Sequence, residues 1–343
     1  MLVGYGQVIA ATQYTITDLG TLGGTYSYAN AINDSGQIVG ESTFTDGNYR
    51  AFLYKNGLMA DVGTLGGVSS SALAINNQGQ IAGYARTSDN KSHAFLWDNF
   101  TMKDLGSLNG YHSSARGINE IGQIVGSTGS QSYAVLYEGG KIKDLGVLPG
   151  DYMSFAYAIN NNGEIVGYSY SSSINRSAFL YSNGIMTDLG TIGGHSSFAY
   201  AINDNSQIVG VSWNENDIER AFLYQNGEMI DLGSLDGISH SRGLGINNAG
   251  QIVGLSLTSG ADWDWDSRRA IIYENGTMYD LNKLTNNPNW ILSIAKDINN
   301  KGQIVGSGYI NGQEHAFLMT PIPEPCTIVL LTLGGLLLRS RKN

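Results

Sequence analysis

Short runs in which apolar and polar residues alternate recur along the whole chain. The first set reads SYANAIN at 27–33, GQIVGES at 36–42, RAFLY at 50–54 and LMADVG at 58–63. Short alternating runs that are bounded by Asn, Asp and Gly predict β-strands. Each set therefore predicts a unit of four strands.

The turns between these strands carry their own signals. Asn33-Asp34-Ser35-Gly36 predicts a tight turn, because Asn and Asp hydrogen-bond their own backbone and glycine accepts a positive φ. Asn56-Gly57 is a two-residue hairpin signal. In the fifth unit Ser206 stands where the others have glycine, so a strained or altered turn is predicted there.

The unit repeats seven times. The DLG segment begins at seven aspartates that are 40–49 residues apart: Asp18, Asp61, Asp104, Asp144, Asp188, Asp231 and Asp280. A period in the low forties with several strands per unit is typical of a propeller blade, whereas a β-helix has a much shorter period. The sequence therefore predicts an all-β, seven-bladed propeller over residues 14–320.

The two ends of the repeat region complement each other. Residues 14–20 form a fourth strand with no third strand before it, and residues 315–319 form a third strand with no fourth after it. Pairing them completes the seventh blade, closes the ring and removes an exposed sheet edge.

The SYANAIN strand is predicted to be innermost. Period-2 alternation places Ser27, Ala29 and Ala31 on one face, and the other units have mostly Ser, Ala or Gly in these columns. Small side chains suit a crowded axis, so these columns are expected to line the channel. The crossings and variable loops then share one face of the disc, where functional variety is expected.

Composition narrows the function. Glycine, at 46 of 343 residues, suits many tight turns, and the net charge of −10 argues against a nucleic-acid partner. The single cysteine, Cys326, lies beyond the repeats, which excludes a disulfide within them.

Signs of catalysis are weak. His112, His195 and His240 lie on three different blades, and no metalloprotease, nucleophile-elbow, P-loop or dinucleotide motif occurs. Asp297 is the only acid in the small-residue columns, and it is interpreted as a solvated carboxylate at the channel. We predict no enzyme activity, no cofactor and no metal centre.

The most unusual loop is SGADWDWDSRR at 259–269. Asp262, Asp264 and Asp266 are spaced like calcium ligands, but Ser267 and Tyr273 occupy positions that need Gly and Glu, so the calcium hypothesis is weak. Trp263 and Trp265 of this loop and Trp213 of the fifth unit are candidates for exposed aromatic residues. Together with the three aspartates they predict a surface that binds a glycan or a protein. Packing within the loop is the alternative.

The C-terminal segment differs from the repeats. Pro323-Glu324-Pro325 precedes thirteen apolar residues at 326–338 and the basic end Arg339, Arg341 and Lys342. The run, predicted to be a short helix, is about 20 Å long, which is short for a ~30 Å hydrocarbon core, and its basic end fits the cytoplasmic side. This order resembles the PEP-CTERM sorting signal, which implies a membrane-inserted precursor and processing by an exosortase-type membrane protease.

The repeats resemble the HAF-repeat family of probable extracellular repeat proteins, through His-Ala-Phe at 93–95 and 315–317. The resemblance implies export to the cell surface or extracellular matrix of a Gram-negative bacterium. Residues 1–13 are then expected to be the end of a signal peptide or a disordered leader, and residues 321–343 the sorting segment.

Two function classes remain open. The first is a non-catalytic repeat protein that presents loops to an exopolysaccharide or an envelope protein. The second is a glycan-active lyase or hydrolase that acts at the axial funnel, which acidic residues converging at the channel would favour.

Overall fold

A computed structural model describes residues 11–129, 132–171, 175–257 and 267–323. They form seven four-stranded antiparallel sheets, with two single 3-10 turns at Leu108–Gly110 and Leu281–Lys283. The seven-bladed propeller that the repeat predicts is confirmed. Within the described residues, no helix is long and apolar enough to cross a membrane. The apolar run at 326–338 lies outside them.

The strands follow one another in the same order in every blade. In blades one to three they are β1 (Tyr14–Asp18, which belongs to blade seven), β2 (Gly23–Ile32), β3 (Ile38–Phe44), β4 (Tyr49–Lys55), β5 (Leu58–Gly63), β6 (Gly66–Ile75), β7 (Ile81–Thr87), β8 (Ser92–Asp98), β9 (Thr101–Gly106), β10 (Ser113–Ile118), β11 (Ile124–Thr128), β12 (Tyr133–Glu138) and β13 (Lys141–Asp144). In blades four to seven they are β14 (Met153–Ile159), β15 (Ile165–Tyr170), β16 (Arg176–Ser182), β17 (Ile185–Asp188), β18 (Gly193–Ile202), β19 (Ile208–Asn214), β20 (Glu219–Gln225), β21 (Glu228–Asp231), β22 (Ser241–Ile246), β23 (Ile252–Leu257), β24 (Arg268–Glu274), β25 (Thr277–Asp280), β26 (Trp290–Ile298), β27 (Ile304–Ile310) and β28 (Gln313–Pro321).

The two ends of the repeat region close the ring as predicted. Strand β1 pairs with β28 in antiparallel register, from Tyr14 opposite Pro321 to Asp18 opposite Phe317. Tyr14 is almost completely buried, and its N–H donates to the carbonyl of Leu284 over 2.8 Å. The first strand of the chain is therefore the outer strand of the last blade.

The hydrophobic core lies between the blades. Seven apolar clusters each join residues of two neighbouring blades; one of them combines Phe52 and Ile38 of blade one with Val305 and Ala316 of blade seven. The phenylalanine of the HAF-type strand is fully buried wherever it occurs, as Phe52 is. The sheets thus stand face to face around the axis, and only the edge of each sheet points towards it.

A serine column fixes six of the seven blades to the preceding one. Ser27 donates to the carbonyl of Gly20 over 2.6 Å and accepts from the N–H of Ala316 over 2.9 Å. Ser70, Ser113, Ser154, Ser197 and Ser241 repeat both bonds in the next blades. The glycine of DLG recurs at a positive φ, which is 70° at Gly20, and the alanine of the HAF-type strand is fully buried, as Ala316 is.

The turns after the inner strands form a closed ring of asparagines at one mouth of the channel. Each buried Asn donates from its Nδ2 to the backbone carbonyl of the corresponding Asn in the next blade, over 3.0–3.2 Å. The members of this asparagine ring are Asn33, Asn76, Asn119, Asn160, Asn203, Asn247 and Asn299. Ser206, in the fifth of these turns, has the predicted positive φ of 59°.

Candidate functional site

Seven β-bulges place seven side chains in the axial channel. In every blade the pairing of the first two strands skips one residue; in blade one Ala29 pairs with Gly40 and Ala31 with Val39, which leaves Asn30 as the extra residue. A bulge bends the strand and redirects a side chain. The seven bulge residues are Asn30, Leu73, Arg116, Tyr157, Tyr200, Leu244 and Lys296.

A glycine opposite each bulge makes room for it. A Cβ added to Gly40 would lie 1.9 Å from the carbonyl oxygen of Tyr28, and the corresponding glycines of the other blades show the same conflict. No side chain fits at that distance. The glycine of the IVG segment is therefore a requirement of the bulge, not of a turn.

The SYANAIN strand is innermost as predicted, since the first strands of neighbouring blades contact one another around the whole ring. The prediction that Ser27, Ala29 and Ala31 line the channel is correct only for Ala31, which lies on the channel wall next to Asn30. Ser27 and Ala29 are buried between blades. The reason is that alternation directs side chains towards the neighbouring sheets, and the bulge then interrupts the alternation close to the axis.

Asp297 lies on the channel wall, as interpreted, but its carboxylate is bound by backbone groups and is not simply solvated. Its carboxylate joins the last blade to the first, because it accepts from the N–H of Ile32 over 2.9 Å and from that of Ile298 over 2.9 Å. Burial raises the pKa of the Asp297 carboxyl, while the two backbone N–H groups act in the opposite direction.

A cavity of about 300 Å³ occupies the channel on the side of the bulge residues. All seven bulge residues, together with Arg242, surround it: Asn30, Leu73, Arg116, Tyr157, Tyr200, Leu244 and Lys296. No carboxylate is among these lining residues, as far as the chain is described. We refer to this space as the axial cavity.

Two tyrosines and two cations dominate its wall. Tyr157 and Tyr200 pack edge to face with ring centroids 5.4 Å apart. The Arg116 guanidinium lies over the ring of Tyr157, 4.7 Å from the centroid, which is a favourable cation–π distance. Burial raises the pKa of the Tyr200 hydroxyl.

A cluster of aromatic rings extends from the axial cavity towards the variable loops. Tyr168 and Phe198 are 4.6 Å apart, and Phe198 is 5.8 Å from Trp213. Phe198 also stacks near Tyr200, at 6.1 Å, which links the cluster to the cavity wall. These half-buried rings of blades four and five form what we call the aromatic cluster. Its members are Phe155, Tyr157, Tyr168, Phe198, Tyr200 and Trp213.

Trp213, predicted to belong to a binding surface, lies at the outer end of this cluster. It is half-buried on β19, and its ring packs against Phe198 and against His195 at 5.4 Å. The other predicted members of that surface, Trp263, Trp265, Asp262, Asp264 and Asp266, lie outside the described residues. Of the sorting signal only Pro323 is described; Glu324, Pro325, Arg339, Arg341 and Lys342 are not.

The histidines have separate, local partners. His93 contacts Asp104 over 2.8 Å, and His315 contacts Asp18 over 3.0 Å. His195 contacts Asp217 over 3.1 Å. Where the chain is described, no three His, Cys, Asp or Glu side chains are grouped so as to hold a metal ion.

Sequence reasoning missed Arg116, Tyr157, Tyr200 and Lys296. Alignment of the seven repeats would have revealed them. At the position of Asn30 the residue type differs in almost every repeat, whereas the neighbouring Ala and Ile recur. A position that varies within an otherwise repeated strand has no common role in holding the blades together.

Fold and channel together define a seven-bladed β-propeller with a variable axial wall. No protein-family model matches the chain, and no curated protein matches it. The likeness to solved structures shows the fold alone, since the identities below are only 10–12%.

A puromycin hydrolase has 10% identity and a TM-score of 0.59, over 88% of this chain and 52% of that one. A puromycin-hydrolysing peptidase of Mycobacterium tuberculosis has 11% identity and a TM-score of 0.57, over 87% and 53%. The chain thus spans about half the length of these two hydrolases. The β-propeller domain of the Trilobed protease of Pyrococcus furiosus has 12% identity and a TM-score of 0.58, over 87% and 98%.

Proposed function

We propose that this protein is an exported, non-catalytic binding propeller whose ligand is a glycan of the cell surface or extracellular matrix. The observation that carries the proposal is the aromatic cluster, which leads from Trp213 on the variable face to Tyr157 and Tyr200 in the axial cavity. Half-exposed aromatic rings beside a concave site with a few polar groups are typical of small-molecule sites.

The axial cavity supports binding over glycan cleavage. Glycosidases place two carboxyl groups on either side of the scissile bond. The candidate carboxyl groups already have protein partners. Glu219 is held by Arg242 over 2.8 Å, and Glu314 accepts from Tyr28 and Ser307. Asp297, on the channel wall, accepts from the N–H groups of Ile32 and Ile298. Glu41 is a single carboxyl group, and burial raises its pKa.

The glycan proposal is tested by titrating the full-length protein with a panel of bacterial exopolysaccharide fragments. Trp213→Ala should weaken binding, and Trp213→Phe should restore most of it because a flat apolar ring remains. Melting temperatures of both variants separate lost binding from lost packing against Phe198. Unchanged glycan binding by folded Trp213→Ala, or capture of an envelope protein with no glycan affinity, would contradict the proposal.

Export and processing rest on the C-terminal sequence. An exosortase-type protease is the proposed processing partner, acting after transient insertion of the 326–338 run in the inner membrane. Mass spectrometry of exported protein should find a C-terminus near Pro325, and replacement of Pro323, Glu324 and Pro325 by alanine should leave the protein in the membrane fraction. Recovery of an intact Asn343 from exported protein would show that the tail is an anchor.

A further inference from the structure

The axial cavity concentrates positive charge in an acidic protein. The chain has a net charge of −10, yet the charged residues that line the cavity are Arg116, Arg242 and Lys296. They come from blades three, six and seven, so three separate blades contribute to one positive wall. Chance would favour carboxylates in a chain with 29 acidic and 19 basic residues.

The three cations differ in how they are balanced. Arg242 forms a two-pronged pair with Glu219, over 2.8 and 3.0 Å, and is thereby neutralised. Neither Arg116 nor Lys296 forms a salt bridge with any described residue. The Nε of Arg116 is buried without a hydrogen-bond partner there. An unpaired cation in a channel wall costs stability, so its presence needs another reason.

Lys296 is close enough to Arg116 and Arg242 to be affected by their positive charges. Its pKa is below the ordinary value because the channel walls bury the ammonium, and because Arg242 and Arg116 add like charge; Glu41 opposes them. Water still reaches the Lys296 side chain, so a ligand can reach it too. A bound anion would relieve the repulsion among these cations.

We propose that the axial cavity binds an acidic sugar, with the sugar's carboxylate held by Arg116 and Lys296 and its ring against Tyr157 and Tyr200. The inference rests on the proposed glycan function and names the ligand class. A guanidinium donates a fixed fork of N–H groups that matches a carboxylate, and an ammonium adds a point charge.

The size and lining of the cavity favour one sugar residue over a bare inorganic ion. About 300 Å³ lies at the small end of the range for ligand sites. A small inorganic ion would need the cations but would leave the tyrosines without a role. The Asn30 amide, whose Nδ2 donates to the carbonyl of Ala72 over 2.9 Å, retains its Oδ1 as an acceptor for a sugar hydroxyl.

The test compares uronic-acid oligosaccharides with neutral oligosaccharides of the same length, by calorimetry on the full-length protein. Arg116→Gln and Lys296→Gln should each weaken acidic-sugar binding about 10- to 100-fold, the usual effect of losing one charged hydrogen bond. Lys91→Gln, which removes the same charge from an exposed loop pair with Asp89, is the matched control and should change little. Raising the salt concentration should weaken binding of the acidic sugar only modestly, since the cations are enclosed.

The outcomes separate this inference from the proposed function. Equal affinity for neutral and acidic sugars, or full affinity of folded Arg116→Gln and Lys296→Gln, would overturn the inference and leave the glycan function standing. Binding of sulfate or phosphate as tight as that of the uronic acid would also overturn it. No binding of any glycan would refute both.

Discussion

The two mouths of the channel are built from the same repeat, but only one of them has the same residue in all seven blades. At one mouth the asparagine ring uses the same residue and the same hydrogen bond in all seven blades. Towards the other, the bulge position carries Asn, Leu, Arg, Tyr and Lys. Residues that hold neighbouring blades together recur, whereas residues that face open space are free to differ.

A second ring at the asparagine mouth reinforces this contrast. The backbone N–H of the residue that follows each ring asparagine donates to a side-chain oxygen of the next blade, over 2.8–3.1 Å. The acceptors are Asn77, Glu120, Asn161, Asp204, Asn248, Asn300 and Asp34. Two closed rings of hydrogen bonds thus surround a mouth of about 440 Å³.

The largest expected effect concerns the closure on which both mouths depend. Deletion of residues 1–20 removes β1 and with it the buried Tyr14 and Leu19. Burial of two such side chains contributes about 3–6 kcal/mol, and the deletion also exposes the edge of β28. Urea unfolding should show a loss of at least this size.

The matched control for this deletion is removal of residues 324–343, which leaves every described strand in place. That variant should retain the unfolding free energy of the complete chain. Equal melting of the two truncated proteins would show that β1 contributes nothing to closure.

The next largest effect is expected at the asparagine ring. Asn160→Ala removes the bond to the carbonyl of Asn203 and leaves the N–H groups of Asn162 and Glu164 without their acceptor. We expect a loss of about 2–4 kcal/mol in unfolding free energy. Asn162→Ala, at an exposed neighbouring position, should cost less than about 1 kcal/mol. Similar losses in both variants would mean that the ring is not a determinant of stability.

At the other end of the channel the same kind of truncation should do little harm. Arg116→Leu removes an unpaired cation and keeps apolar contact with Tyr157. The cation–π contact is worth about 0.5–1 kcal/mol, and relief of the buried charge offsets it. Chemical denaturation should therefore find a change within about 1 kcal/mol in either direction. A loss comparable to that of Asn160→Ala would identify Arg116 as a framework residue.

The smallest effect is expected at Asp297, and it depends on pH. The pKa of this carboxyl is raised in the folded protein, whereas an unfolded aspartate titrates near ~3.9. The proton bound in the folded state therefore stabilises the wild type fully below that value, and this contribution is lost as pH rises through the folded pKa.

The comparison with Asp297→Ala isolates this group, because four of the other six blades have Ala there and two have Gly. Relative to this variant, the wild type should be most stable in acid and lose its advantage towards neutral pH. Unfolding free energies measured between pH 3 and 7 give the answer. An advantage that grows with pH would mean that the bonds from Ile32 and Ile298 outweigh burial.

The contrast between the mouths also explains what sequence reasoning could reach. Strands, turns, blade number and closure by residues 14–20 follow from patterns that recur, and all were predictable. The bulge at Asn30 was not predictable. Strict alternation of side chains assumes that every residue of a strand is paired, and no one residue type marks the extra position. Its only sequence traces are Gly40 and the variability of the bulge position. The exchange of bonds by Ser27 was likewise hidden, because serine was interpreted only as a small residue.

The seven bulges have a consequence for how such proteins diversify. The residues on either side of each bulge residue are held by backbone pairing that does not depend on its side chain, so a substitution there leaves the serine bonds, the buried phenylalanines and the asparagine ring in place. One blade can therefore change its contribution to the cavity while six others stay as they are. Seven positions on one framework can thus carry seven different side chains, which allows the chemistry of the channel wall to vary while the fold stays the same.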